Sequence, residues 1–268
     1  MVKHSLIFLV CLLSLSCEVP SADTADFAFL NVEDAKLNGG FSGFTDVWFF
    51  RDGAVQGVYE MPRKIPVQIE TAVNGLMQAG IRENGINSMP RAYPFVNNIE
   101  INPSLQKDEV LDLELDFTYL DIAKIRLDAD FESDNLFGFD EDGIDSIGLQ
   151  LSDGQGIIRL KGGELAEEGS RLVYNEIPTD GTAIFLEIEY RGTIDLDIGL
   201  IGIQGADIFK EYFVSLRSES DWKKAYINFT DLVLASKLEG YQVLLGADNS
   251  NSSQDAEVYV DNIKLLHF

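Results

Sequence analysis

The sequence predicts an all-β protein built as two sandwiches, a small one over residues 27–103 and a jelly-roll one over residues 108–268. Three observations predict it. Short runs rich in Val, Ile, Phe and Tyr recur between Gly, Pro and Asp-Gly punctuation, which is how strands and their turns read. Leu111, Leu113, Leu115 and Phe117 alternate strictly with Asp112, Glu114 and Asp116, the signature of a strand with one buried and one wet face. A sustained helical period is almost absent, so stacked sheets rather than helical layers must hold the core.

Taken in order, the chain starts with Lys3 and His4, runs through the apolar stretch Leu6 to Leu13 and reaches Ser14, Leu15 and Ser16 before Cys17. Charged, apolar and small residues in that order read as an export signal over residues 1–16. The apolar run is shorter than the roughly 20 residues needed to cross a bilayer. The polar stretch over 17–26 reads as a flexible tether. Strands are expected at 27–32, 45–51, 55–59 and 67–71. Asp52-Gly53 makes a hairpin turn between the second and third, because the glycine accepts positive φ without steric cost. Residues 79–86 read as coil, a last strand falls near 99–102, and 103–108 reads as the linker between the two units. The second unit is expected to open with the alternating strand at 111–120. Further strands are expected at 146–151, 156–161, 172–175, 183–190, 195–202, 211–216, 224–228, 242–246 and 257–265, with a short helix at 230–237. Nine or ten short strands without helical layers argue for an antiparallel sandwich.

The totals narrow the function. With 45 acidic against 20 basic residues and a formal net charge of −25, the protein repels nucleic acid and anionic headgroups, so neither is expected as a partner of the folded body. Cys11 and Cys17 are the only cysteines. Cys11 leaves with the signal, so no internal disulfide forms and one thiol stays at the mature N-terminus. Of two histidines, His4 also leaves and His267 is penultimate. Ser-His-Asp, Cys-His and His-zinc chemistry therefore lack their central residue. A carboxylate pair would suffice for a glycosidase, but 45 acids nominate no particular pair, and no catalytic residue is assigned.

Two resemblances add to this reading. The Ser16-Cys17 junction resembles the lipobox of bacterial lipoproteins in the loose form found in the Bacteroidota, with Ser14 where the common pattern has Leu. That resemblance implies lipidation of Cys17 and anchoring in the outer membrane. The residues from Phe131 to Asp134, the segment Asp221-Trp222-Lys223-Lys224-Ala225-Tyr226-Ile227-Asn228-Phe229 and the terminal Val258 to Leu265 resemble strands of galactose-binding-like jelly rolls. The resemblance covers roughly residues 110–268 and implies the fold of carbohydrate-binding modules. The first half, with Thr45 to Trp48, Gly57 to Pro62 and Arg91 to Phe95, resembles the N-terminal part of uncharacterised Bacteroidota lipoproteins. That implies a small Ig-like sandwich and brings no activity with it.

The galactose-binding-like resemblance further implies a structural calcium near the opening and closing strands, held here by Asp130, Glu132 and Asp261. Hard oxygen ligands suit that ion. The run Asp140 to Asp145 lacks the spacing of an EF-hand loop and reads as a solvated turn. For a sugar, the candidates are aromatic rings: Trp222 and Tyr226 are nominated as ligand-binding, with core packing as the competing fate of any large ring in a strand. The function expected is a membrane-anchored, non-catalytic binding or accessory lipoprotein that takes glycans through its second sandwich. The alternative is an assembly subunit of a cell-envelope complex with a protein partner, and a glycosidase stands third.

Overall fold

The computed structural model describes residues 26–69, 73–140, 143 and 147–268. The export signal, Cys17, all of the tether except Asp26, and most of the Asp140 to Asp145 run lie outside them. No helix of the described residues is long and apolar enough to cross a membrane.

The chain is all-β. Its first unit contains β1 (Phe27–Val32), β2 (Ala35–Leu37), β3 (Asp46–Arg51), β4 (Ala54–Glu60), β5 (Arg63–Gln68), β6 (Gly75–Arg82), β7 (Pro90–Ala92), β8 (Ile99–Ile101), β9 (Val110–Asp112) and β10 (Leu115–Phe117). One sheet runs β4-β3-β6-β7, with β8 also on β6. Facing it are β5-β1-β9 and the pair β10-β2. Inward side chains of both layers, among them Leu30, Val47, Phe49, Ile65, Met77 and Phe117, share one core. The Asp52-Gly53 turn closes β3 onto β4 with φ of 51° and 79°, the two positive values of a type I′ turn.

Four expectations need correction here. The strand at 111–120 does not open the second unit: β9 pairs parallel with β1, and β10 pairs parallel with β2. Its alternation is real, and Leu115 and Phe117 are buried, but the face they bury is that of the first sandwich. The residues placed in a linker likewise bond into the first unit, as Asp108 N–H donates to the Phe27 carbonyl. The stretch from 79 read as coil begins as the end of β6, which pairs with β3 over Gly75 to Gly80 and with β7 over Gly80 to Arg82. Gly75 and Gly80 hid the pattern. A Cβ on Gly75 would sit 2.6 Å from Ile101 Cγ1, so close packing and not a turn explains that glycine. The strand expected at 67–71 begins earlier, as β5.

The second unit is a jelly-roll-type sandwich of two antiparallel sheets. Its strands are β11 (Lys124–Ala129), β12 (Phe137–Asp140), β13 (Gln150–Ser152), β14 (Gln155–Leu160), β15 (Leu165–Ser170), β16 (Ile184–Gly192), β17 (Leu196–Gln204), β18 (Asp207–Leu216), β19 (Lys223–Asn228), β20 (Gly240–Asp248) and β21 (Ala256–His267), with α1 (Thr230–Ser236) between β19 and β20. The front sheet is ordered β12-β15-β20-β17-β18. The back sheet is ordered β13-β14-β21-β16-β19, with β11 also on β21. Ile188, Leu265 and Val260 from the back sheet meet Leu200, Val243 and Leu245 from the front in one core. Phe131 to Asp134 is not a strand: buried Phe131 has a φ of 52° and turns the chain at the end of β11. Residues 172–175 contribute only the bridge from Tyr174 to Tyr241.

The first sandwich sits on the outer face of the back sheet. Phe185, Tyr226 and Leu266 alternate with inward residues of β16, β19 and β21, and they complete the first unit's core. Next along the same face is a buried ionic knot. Glu187 accepts from Tyr93 Oη at 2.5 Å and from Tyr119 Oη at 2.9 Å, and it pairs with Lys224 Nζ at 2.8 Å. Burial, and then the Glu187 charge, push the phenols of Tyr93, Tyr119 and Tyr226 well above their ordinary value. They stay protonated donors.

Candidate functional site

The front sheet places a ring where a ligand can reach it. Along β17 and β20, Leu196, Ile198, Leu200, Val243 and Leu245 point into the core. The residues between them point outward: Gly199 and Ile201 on β17, and Gln242, Leu244 and Gly246 on β20. Tyr212 on β18 lies opposite Gly199, which lies opposite Leu244, while Gly246 faces Glu167 on β15. Gly199, Ile201, Gln242, Leu244 and Gly246 are themselves buried, while Tyr212 on β18 stays accessible and lies across this face. A Cβ on Gly246 would fall 2.8 Å from two Tyr212 ring carbons, so the ring rests directly on that backbone. Tyr212 Oη donates to Glu167 Oε1 at 2.8 Å, and Lys210 Nζ pairs with the other carboxylate oxygen. Tyr212 as a residue is 39% exposed. A flat aromatic face with a carboxylate and an ammonium at its rim can stack on the C–H face of a sugar and bond its hydroxyls.

The nominated rings fare differently. Tyr226 is 1% exposed, its hydroxyl donates to the Ser42 carbonyl, and its ring packs against Phe44 and Tyr93 at the junction of the two units. It is a core residue and no ligand can reach it. Its strand signal was correct; the first sandwich covers the face that would have carried the sugar. Trp222 is half-buried on the outer face of the back sheet, where the Arg191 guanidinium lies 5.1 Å from its ring centre and 4.4 Å from that of Tyr259.

Of the residues nominated for calcium, Asp130 and Glu132 flank the Phe131 turn and Asp261 sits on β21 beside Asn262. Burial raises the Asp261 carboxyl above its ordinary range, opposed by the Asn262 N–H, and the nearby charges of Glu189, Glu132 and Asp130 raise it further. The acids are thus neighbours. Among the described residues, however, no three acidic, histidine or cysteine side chains converge closely enough to hold a metal ion.

Sequence reasoning missed Tyr212. The strand expected at 211–216 contains it but begins after Ile208 and Lys210, which share its outward face. The signal that could have found it is Gly199 and Gly246 inside otherwise apolar strands, since an isolated strand glycine marks a close approach by something else.

No family model and no curated protein matches the chain. Among solved structures it is similar to CBM29_1, a family 29 carbohydrate-binding module from Piromyces equi. Identity there is 11%, with 55% of this chain and 90% of that chain covered and a TM-score of 0.38. A CBM29-2 variant complexed with cellulohexaose gives 12% identity, 54% and 90% coverage and a TM-score of 0.36. Likeness this loose carries no weight for function. The side chains described above define the class: a two-unit β-sandwich protein with a partly exposed tyrosine ring on the outer face of its front sheet.

Proposed function

We propose that this protein is a non-catalytic glycan-binding protein whose second sandwich holds a sugar on the outer face of the front sheet, against Tyr212. The observation that carries the reading is the Tyr212 ring laid on the Gly246 backbone and pinned at its hydroxyl by Glu167. A ring so fixed loses little rotamer freedom when a ligand stacks on it, which is where such sites gain affinity. Glu167 and Lys210 at the rim, with Asp197 one strand away from Gly246, offer acceptors and donors to equatorial hydroxyls. The experiment is a glycan array probed with the purified protein and with Tyr212→Ala. Selective binding that the variant loses supports the reading, and identical array profiles overturn it.

The same proposal includes the anchor. Export through residues 1–16 and lipidation of Cys17 would hold the two sandwiches at the outer membrane as an accessory lipoprotein. Support comes from the Ser16-Cys17 junction and from a mature chain with no other thiol. Acyl chains at about 0.8 kcal/mol per buried CH₂ hold stably once more than one is attached. Intact-mass analysis of membrane-extracted protein beside Cys17→Ser tests it: acyl mass on the wild type alone is expected, and a soluble wild type without acyl mass contradicts it.

A further inference from the structure

The back sheet carries a second arrangement on the part of its outer face that extends past the ionic knot. Arg191 on β16 is paired in register with Tyr259 on β21, and Trp222 immediately precedes β19, whose Lys223 is opposite Tyr190. Three neighbouring strands therefore bring Trp222, Arg191 and Tyr259 into one row, with both ring centres near the guanidinium. Four arginines of the described residues are partly buried. Arg51, Arg82 and Arg126 each have an acid within ion-pair distance. Arg191 has none, and its Nε–H is buried without an acceptor.

This is unexpected in a chain with 45 acids, and it does not arise from a lack of nearby carboxylates. Glu189 precedes Arg191 by two residues on the same strand, but it accepts from Asn262 Nδ2 at 3.2 Å and lies 4.0 Å from Lys224. Glu257, two residues before Tyr259, accepts from the Tyr259 hydroxyl at 2.7 Å and lies 3.7 Å from Arg159. Each flanking acid has its own donors, so the guanidinium stays uncompensated. Its faces are given to the rings, which leaves its planar edge of N–H donors, the geometry that takes a carboxylate or a sulfate in a two-point contact.

We infer that Arg191, Trp222 and Tyr259 form a second ligand site, for an acidic sugar unit whose carboxylate or sulfate meets the Arg191 edge while its ring lies on the open part of Trp222. A bare anion would need only the arginine; the half-exposed indole beside it supplies the surface for a sugar ring. The net charge of −25 disfavours a dense polyanion, so the ligand is a short or sparsely charged acidic glycan. This site is on the other sheet from Tyr212 and does not depend on it.

The test is calorimetric titration of the purified protein with trigalacturonate, with a neutral galactose trisaccharide, with a sulfated disaccharide and with acetate. The wild type is expected to bind an acidic sugar saturably. Arg191→Lys, which keeps the charge but loses the fork, should bind about tenfold more weakly or worse, Trp222→Ala should lose binding, and Tyr212→Ala should bind as the wild type does. Response to trigalacturonate or to the sulfated disaccharide alone tells carboxylate from sulfate. The inference is overturned if folded wild type binds neither acidic sugar, if acetate or the neutral trisaccharide competes equally, or if Trp222→Ala binds unchanged. Should Arg191→Lys fail to fold by circular dichroism, Trp222→Ala and the acetate competition still decide the question. Failure of the Tyr212 face would leave these titrations unaltered, so the two readings fail separately.

Discussion

Glu187→Ala tests whether the ionic knot holds the two sandwiches together. The Glu187 side chain is 0% exposed and that of its partner Lys224 is 4% exposed. Removing the carboxylate leaves the buried ammonium only the more distant Glu189, 4.0 Å away, as counter-charge, and takes the acceptor from Tyr93 and Tyr119. Breaking a buried pair in this way costs about 3–5 kcal/mol. For a chain of this size, each kcal/mol moves the melting temperature by about 2–4 °C, so a loss near 4 kcal/mol predicts a fall of roughly 8–16 °C. Differential scanning calorimetry reads it directly. The paired change Glu187→Leu with Lys224→Met should lose less than the single variant, because no lone charge remains in the interface. A Glu187→Ala protein within about 1 kcal/mol of wild type would refute the reasoning, since it would mean the carboxylate draws its solvation from water.

Three further outcomes are expected of the same molecule. Burial lowers the His267 imidazole below its ordinary 6.5, so the unfolded chain binds that proton more readily; stability should be full above pH 6.5 and decline as pH falls through the folded value, and His267→Asn should flatten that part of a urea stability profile. Asp261 is shifted upward, so its contribution favours the fold only below the ordinary carboxylate range and is lost as pH rises through the raised value. Asp261→Asn should therefore raise the melting temperature at pH 7, and a lowered one would contradict the assignment. Gly199→Ala would drive a Cβ into the Glu211 carbonyl and within 2.8 Å of Tyr212 Cα; backbone cannot yield as a side chain does, so a loss of about 1–3 kcal/mol or more in chemical denaturation is expected.

Much of the fold was legible because most strands bury one face and show it. β1, β14, β16 and β19 fall within two residues of their expected limits, and the Asp52-Gly53 hairpin is where turn chemistry puts it. What failed did so for reasons that alternation cannot express. Leu111 to Phe117 shows which side of the strand is buried but not against which sandwich, and parallel pairing to β1 and β2 is a long-range choice. β6 was lost because its glycines serve close packing. The site followed the same division. Trp222, just before β19, is half-buried, whereas Tyr226, four residues further along the same outer face, is covered by the first sandwich. Local pattern gives both the same signal. Tyr212 depends on glycines from two other strands, which proximity in sequence does not reveal.

The central claim, that the front-sheet platform binds sugar through Tyr212, is tested most directly by titration calorimetry of wild type, Tyr212→Phe and Tyr212→Ala against the glycan identified on the array. Aromatic contact is worth about 0.5–1.5 kcal/mol beyond its buried area. Tyr212→Phe is therefore expected to keep most of the affinity and Tyr212→Ala to lose about tenfold or more. Equal affinity for the wild type and Tyr212→Ala would contradict the account.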